Sequence, residues 1–260
     1  MKAVRAWHFI LGQLVAATFL TTSAFAGDDA GTERILTHLE GRVMLRSAER
    51  TRVEFPKAGR VLVDGEILIT GDQSRLEVRV GEAGLWRVGR RAVFVPQAEG
   101  GRLMAGTALV RVPSEAGWRV ESARGAALLG KGLWMLQAVD NEGLKLVCLD
   151  GPASVEALGA TPFSASGGDT RPVRLKLRPG ELVFLRPGGT DFGPIVTVYL
   201  EELLATSRLV NAFPEPLAEL RRLQNLGIAQ REQLKGVTNA LVAGARDENG
   251  FEIAVPKNAR

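Results

Sequence analysis

Apolar and polar residues alternate with a period of two along much of this chain, most sharply between Gly65 and Val80. There Leu76, Val78 and Val80 interleave with Arg75, Glu77 and Arg79, the mark of a strand with one buried and one wet face. Ile67 and Ile69 alternate with Glu66, Leu68 and Thr70 just before, and Gly71-Asp72 supplies a tight turn between the two runs. Similar sets recur at Val43 and Leu45, Trp86 and Val88, Phe94, then Ala108, Val110 and Val112. They continue through Trp118 and Val120, Trp134 and Leu136, then Leu144, Leu146 and Cys148, then Val173, Leu175 and Leu177, and finally Leu182 and Phe184. Turn signals at Asp64-Gly65, Gly100-Gly101, Asn141-Glu142-Gly143 and Asp150-Gly151 separate these runs. The pattern predicts a mainly β domain over 35–187. Short strands at even spacing fit a roll, a solenoid or a sandwich equally.

After Gly188-Gly189 the period lengthens. Gly193-Pro194 reads as a helix start, and Ile195, Val198, Tyr199, Leu203 and Leu204 follow near 3.6 spacing to about Asn211. Leu217, Leu220, Leu223 and Leu226 form a second stripe, with Gly227 placed as the residue just past its end. Leu234, Val237 and Leu241 suggest a third helix, weakened by Gly236. The expectation is a helical extension over 194–245 and a frayed tail over 246–260. Packing on the β domain is the ordinary use of such stripes, and docking a partner is the alternative.

The N-terminus reads as an export signal. Lys2 and Arg5 precede an apolar core from Phe9 to Leu20, and Ala24-Phe25-Ala26 offers a cleavage site before Gly27. The apolar run is shorter than the roughly 20 residues a membrane span requires. Residues 1–26 are therefore read as a signal peptide and 27–34 as a flexible N-terminus, with an uncleaved anchor as the alternative. No stable span is expected after cleavage, and the setting is the periplasm or cell surface. Export changes the meaning of the charge. Of 33 Lys and Arg, loss of Lys2 and Arg5 leaves 31 against 29 Asp and Glu, a net charge of +2. Nucleic acid is not an expected partner.

The run from Gly65 to Val80, Gly-Glu-Ile-Leu-Ile-Thr-Gly-Asp-Gln-Ser-Arg-Leu-Glu-Val-Arg-Val, resembles the hallmark "G-x-x-L-x-T-G-x-x-S-R-x-x-L" of the FecR domain family, with Val78 at the motif's last position. Glu40-Gly41-Arg42-Val43-Met44-Leu45-Arg46 is similar to that family's opening strand, and Gly84-Leu85-Trp86-Arg87-Val88-Gly89 to its "G-S-x-x-R-L-G" hairpin. Val147-Cys148-Leu149-Asp150-Gly151-Pro152-Ala153 and Arg178-Pro179-Gly180-Glu181-Leu182 resemble its later "V-x-V-L-x-G-x-V" and "L-x-P-G-E" runs. Where relatives carry "R-G-T-x-F", this chain has Gly130-Lys131-Gly132-Leu133-Trp134, which keeps the aromatic and lacks the Gly-Thr pair. The resemblance implies a compact β-roll or solenoid-like stack outside the cytoplasm. Iron-transport regulators of the family place a cytoplasmic anti-sigma segment before one membrane span. Only Met1 to His8 precede the apolar core here, so a stand-alone exported domain is expected.

Reactive chemistry is sparse. His38 is the only histidine beyond the leader, and Cys148 the only cysteine, so no intramolecular disulfide can form. Cys148 alternates with Leu144 and Leu146, which predicts a buried thiol. Asp72, Asp150 and Glu156 fall in turns or on strand faces, and Gly125–Gly132 lacks the Lys-Ser/Thr ending of a phosphate loop. No catalytic residue, cofactor or metal is expected. Trp86, Trp118 and Trp134 fall on inward faces, which predicts core packing. The candidate binding groups are cations: Arg174, Lys176 and Arg178 on one strand face, and Arg87, Arg90 and Arg91 as a second cluster. The expected function is a non-enzymatic protein-interaction or scaffold module of the bacterial envelope. The alternative is a binder of anionic envelope polysaccharide through those basic faces.

Overall fold

One long strand belongs to two sheets, and the rest of the domain is arranged around it. The computed structural model describes residues 32–47, 53–139, 143–159, 172–235, 242–247 and 250–254. The proposed leader and its cleavage site lie outside the described residues. The first sheet runs, in spatial order, β4 (Arg60–Val61), β1 (Arg34–Glu40), β6 (Arg75–Val80), β7 (Gly84–Val88) and the second half of β9 (Gly100–Val112). It continues through β12 (Gly132–Val139), β13 (Gly143–Asp150), β16 (Glu181–Leu185), β17 (Val196–Val198), β18 (Val242–Asp247) and β19 (Gly250–Ala254). The second sheet runs β3 (Val53–Glu54), β2 (Val43–Arg46), β5 (Ile67–Thr70), β8 (Val93–Gln97) and the first half of β9. It ends with β10 (Trp118–Ser122), β11 (Gly125–Leu129), β14 (Ala153–Ala157) and β15 (Arg174–Leu177).

β9 changes sheets at Gly106. Up to Ala105 it pairs with β8, and from Gly106 onward with β12. Gly106 has φ +86°, and a Cβ there would stand 2.6 Å from that of Ala92, so the corner takes glycine.

The two sheets face each other across a shared core. Trp86 of the first sheet stacks on Trp118 of the second, with centroids 6.3 Å apart and planes 10° from parallel, and leans on Phe94 at 4.7 Å. Leu68, Leu103, Val120, Trp134, Leu146 and Cys148 complete the layer as fully buried neighbours. Neighbouring strands are antiparallel apart from β9–β10 and β17–β18 among the described pairs. Such pairing is that of a sandwich and not of a parallel solenoid. The mainly β expectation holds.

A second core lies on the outer face of the first sheet. Leu85, Leu109, Leu133, Met135, Val147 and Leu149 are covered by α1 (Leu200–Thr206), α2 (Arg208–Asn211), α3 (Leu220–Leu234) and their connections. Leu203, Leu209 and Leu223 are buried there; each such leucine contributes about 1.5–3 kcal/mol. Strands sandwiched on both sides read as unbroken apolar runs, which explains Leu133-Trp134-Met135-Leu136 and Leu146-Val147-Cys148-Leu149.

The C-terminal region departs from its expected boundaries. Residues 196–198 form β17, not a helix from 194: β-branched Val196, Thr197 and Val198 continue the sheet from β16. α3 begins at Leu220 and passes through Gly227, which was expected beyond its end. A Cβ at Gly227 would lie 3.1 Å from the backbone of Glu201, so this glycine lets α1 and α3 approach closely. The third expected helix lies partly outside the described residues. Residues 242–247 and 250–254 pair as strands, extending the first sheet where a helix end and a tail were expected. At the other end Arg34 already belongs to β1.

Candidate interaction surfaces

The hallmark residues of the sequence motif serve structure. The Thr70 hydroxyl donates to the carbonyl of Gly89 at 2.6 Å and accepts from the Ala92 N–H at 2.8 Å, tying β5 to the turn that leads from β7 to β8. The Ser74 hydroxyl accepts from the Arg42 N–H at 2.7 Å. Arg91 adopts φ 50°; its N–H donates to the Gly71 carbonyl, and its guanidinium meets the exposed carboxylate of Asp72. Arg91 therefore braces one turn against another.

The six predicted cations divide. Arg87 is 1% exposed and forms no part of a surface cluster. Its partner across β6 and β7 is Glu77, with Nε donating to Oε2 at 2.9 Å. Nη1 donates to the carbonyls of Leu209 at 3.2 Å and Val210 at 3.3 Å, and Nη2 donates to that of Glu215. The guanidinium carbon lies 4.4 Å from the centre of the Phe213 ring. Burial lowers its pKa and Glu77 opposes that shift. The reason for the misplacement is plain: Arg87 does face away from Trp86, but that face of the sheet is covered. Arg75 and Glu77, expected on a wet face, are buried for the same reason, and Arg75 donates to the Ala212 carbonyl at 2.9 Å.

Arg90 and Arg91 are exposed. Arg174 is exposed and donates to Glu156 through Nε at 2.8 Å, while Lys176 and Arg178 are exposed beside it. The structure does not unite the two sets, because β9, β10, β11 and β14 stand between β8 and β15. Val173, expected inward with Leu175 and Leu177, is instead exposed.

The reactive candidates are embedded. The Cys148 thiol lies in the inter-sheet core, and burial pushes its pKa up to about 12. His38 packs edge-on against Phe213 at 5.6 Å. Asp150 meets Arg222 of α3, although burial holds its pKa above the usual range. No group of three or more His, Cys, Asp and Glu is placed to hold a metal among the described residues.

Two apolar surfaces escaped the sequence reading. The first is the segment containing β3 and β4, which borders both sheets. Phe55 is 64% exposed there, and Val53, Val61 and Val63 are exposed with it. The second is the outer face of the second sheet. Met44 pairs with Ile69 and Ile69 with Val93, so the three half-buried side chains form one row across β2, β5 and β8. Ile67 and Val95 flank the row, and Met104 on β9 is 37% exposed beside it. Ile67 and Ile69 thus point outward, while Leu68 and Thr70 are the buried pair. The signal was present in Ile67-Leu68-Ile69, where both parities are apolar. Cations border this stripe. Arg102 and Arg119 both donate to Glu121, at 2.9 and 2.7 Å, so two guanidinium groups share one carboxylate. Burial raises the Glu121 pKa, but the two arginines outweigh it and hold it below the usual range. Arg46 stands exposed opposite Ile67. A separate groove of about 520 Å³ lies between α1 and α3, lined by Glu201, Leu204, Asn211, Gln224 and Ile228 among others.

These features define a two-sheet β-sandwich with one sheet covered by the chain's own helices. No family profile matches the chain, and no curated protein matches it. Among solved structures it is similar to one described as a "putative anti-sigma factor from Parabacteroides distasonis", at 12% identity and a TM-score of 0.36. That likeness takes in 50% of this chain and 59% of the other, and it carries no argument about activity.

Proposed function

We propose that this chain is an exported, non-enzymatic module of the bacterial envelope, similar to FecR domains, that works by binding another protein. The observation carrying this reading is the apolar segment bordering both sheets, where Phe55, Val53, Val61 and Val63 are exposed within eleven residues. Val53 pairs with exposed Arg46 on the second sheet and Val61 with Ile35 on the first, so the border of each sheet carries exposed apolar groups suited to contact with another protein. The leader-like residues 1–26 support export. The nucleophile best suited to chemistry, Cys148, is instead core, and its raised pKa leaves little thiolate at neutral pH. The polysaccharide reading has less behind it: Arg87 is internal, and Arg91 and Arg174 each meet a carboxylate, leaving Lys176, Arg178 and Arg90 as its exposed contributors.

The test places a photo-reactive amino acid at Phe55, and at Arg90 as a control, in cells producing the chain. A discrete adduct at Phe55 and its absence at Arg90, in an envelope fraction, is the expected result. Equal labelling at both positions, or an uncleaved chain in the cytosol, would sink the proposal. Retention on envelope glycans that disappears in an Arg174→Ala, Lys176→Ala, Arg178→Ala variant would favour the polysaccharide instead.

A further inference from the structure

The molecule contains one worked example of how an apolar sheet face that carries arginines is covered. On the first sheet, Leu85, Leu109, Leu133 and Met135 form the apolar floor, Arg111 stands in register between Leu85 and Leu133, and Arg79 lies beside Leu85. The covering segment brings leucines to the floor and carboxylates to the arginines. Leu209, Leu217 and Leu223 pack inward, Glu219 takes Arg111 in a two-pronged pair, and Glu215 approaches Arg79 at 3.4 Å.

The outer face of the second sheet presents the same combination without such a cover among the described helices. Met44, Ile69 and Val93 lie in register as its floor, widened by Ile67, Val95 and Met104. Arg102 and Arg119 share a single carboxylate at one margin, and Arg46 stands exposed at the other. The apolar row calls for an apolar stripe opposite it, and the excess of guanidinium over carboxylate calls for acidic groups beside that stripe. The row lacks aromatic side chains, which sugar rings would stack on.

We propose that the outer face of the second sheet docks an acidic amphipathic helix of a partner protein, with its apolar side over Met44, Ile69, Val93 and Met104 and its carboxylates on Arg46, Arg102 and Arg119. This deepens the interaction reading and rests on it, naming the partner's chemistry and a second contact face.

The purified chain would be titrated against three labelled peptides, read by fluorescence anisotropy. One carries leucine and glutamate in a 3.6-residue repeat, the second has lysine in place of glutamate, and the third is polyglutamate. The first is expected to bind at least about tenfold more tightly than the other two, a difference that Met104→Glu and Arg102→Glu each abolish. Both positions are exposed, so an unchanged unfolding midpoint separates loss of binding from loss of fold. Equal binding of the lysine peptide would overturn the proposal by showing mere apolar adhesion. Equal binding of polyglutamate would overturn it by showing that the stripe plays no part. A dimer dissociated by Met104→Glu in sedimentation would give the face to a second copy instead. If the peptides fail while the Phe55 adduct persists, the interaction reading stands and this face is not its site. Loss of both removes the reading itself.

Discussion

Arg111 on β9 and Glu219 just ahead of α3 meet side by side, Nε to Oε1 at 2.7 Å and Nη2 to Oε2 at 2.8 Å. Both are about four-fifths buried, so the pair locks the helical cover to the sheet where water screens it little. Burial raises the Glu219 pKa, but the Arg111 hydrogen bond and charge prevail and hold it below its ordinary value of 4.5. A carboxyl with a lowered folded-state pKa contributes stability that is present above its unfolded value and lost as pH falls through the folded one. The wild-type chain should therefore lose stability below about pH 4.5, and Glu219→Gln should flatten that part of the profile while costing about 1–3 kcal/mol at pH 7. Urea unfolding between pH 7 and pH 3 measures both. An identical acid limb in the variant would remove Glu219 from the account.

Arg87 and Glu77 pose a different problem, because both are buried. Removing Arg87 alone leaves a carboxylate uncompensated between sheet and cover, so Arg87→Met should cost about 3–5 kcal/mol. The double variant Arg87→Met, Glu77→Leu should recover most of that loss, since neither charge remains. Denaturant midpoints of the two variants settle the matter, and a double variant no better than the single one would show that the carbonyls of Leu209, Val210 and Glu215 depend on the guanidinium for more than charge balance.

Gly84 lies under the Trp118 ring, and a Cβ there would stand 2.4 Å from it and 2.6 Å from the Val80 carbonyl oxygen. Gly84→Ala should displace Trp118 from its stack on Trp86 and cost about 1–3 kcal/mol. A changed near-ultraviolet circular dichroism spectrum should accompany the lowered midpoint. An unaltered spectrum at unaltered stability would contradict the packing described.

Cys148 should resist alkylation in the native state at pH 8, since burial pushes its pKa up to about 12 and encloses the sulfur. Iodoacetamide labelling followed by mass spectrometry is expected to be slow until denaturant is added. Fast native labelling would mean that the inter-sheet core opens readily.

The sequence was most readable where a strand meets a single core. Trp86, Trp118, Trp134 and Cys148 are buried as alternation predicts, because residues two apart on a strand share a face regardless of what lies far away. It was least readable where a second layer decides. Alternation separates Arg87 from Trp86 but cannot say that the arginine's side is roofed by residues more than 120 positions later. Ile67 and Ile69 point outward for a different reason: a run of three apolar residues leaves the inward parity open. β17 and β18 are strands because β16 has an edge to extend, a fact of the assembled sheet that no local period records. The family-like motif at Thr70 and Ser74 was legible as a pattern. Its use, bracing turns through side-chain hydroxyls, was not.

Because β9 spans the corner at Gly106, its hydrogen bonds anchor one layer with its first residues and the opposite layer with its last. Neither half of the sandwich can peel away as an autonomous subdomain, for the departing half would carry off a central rung of the one left behind. A nick in this single ribbon would disable the scaffold as a whole.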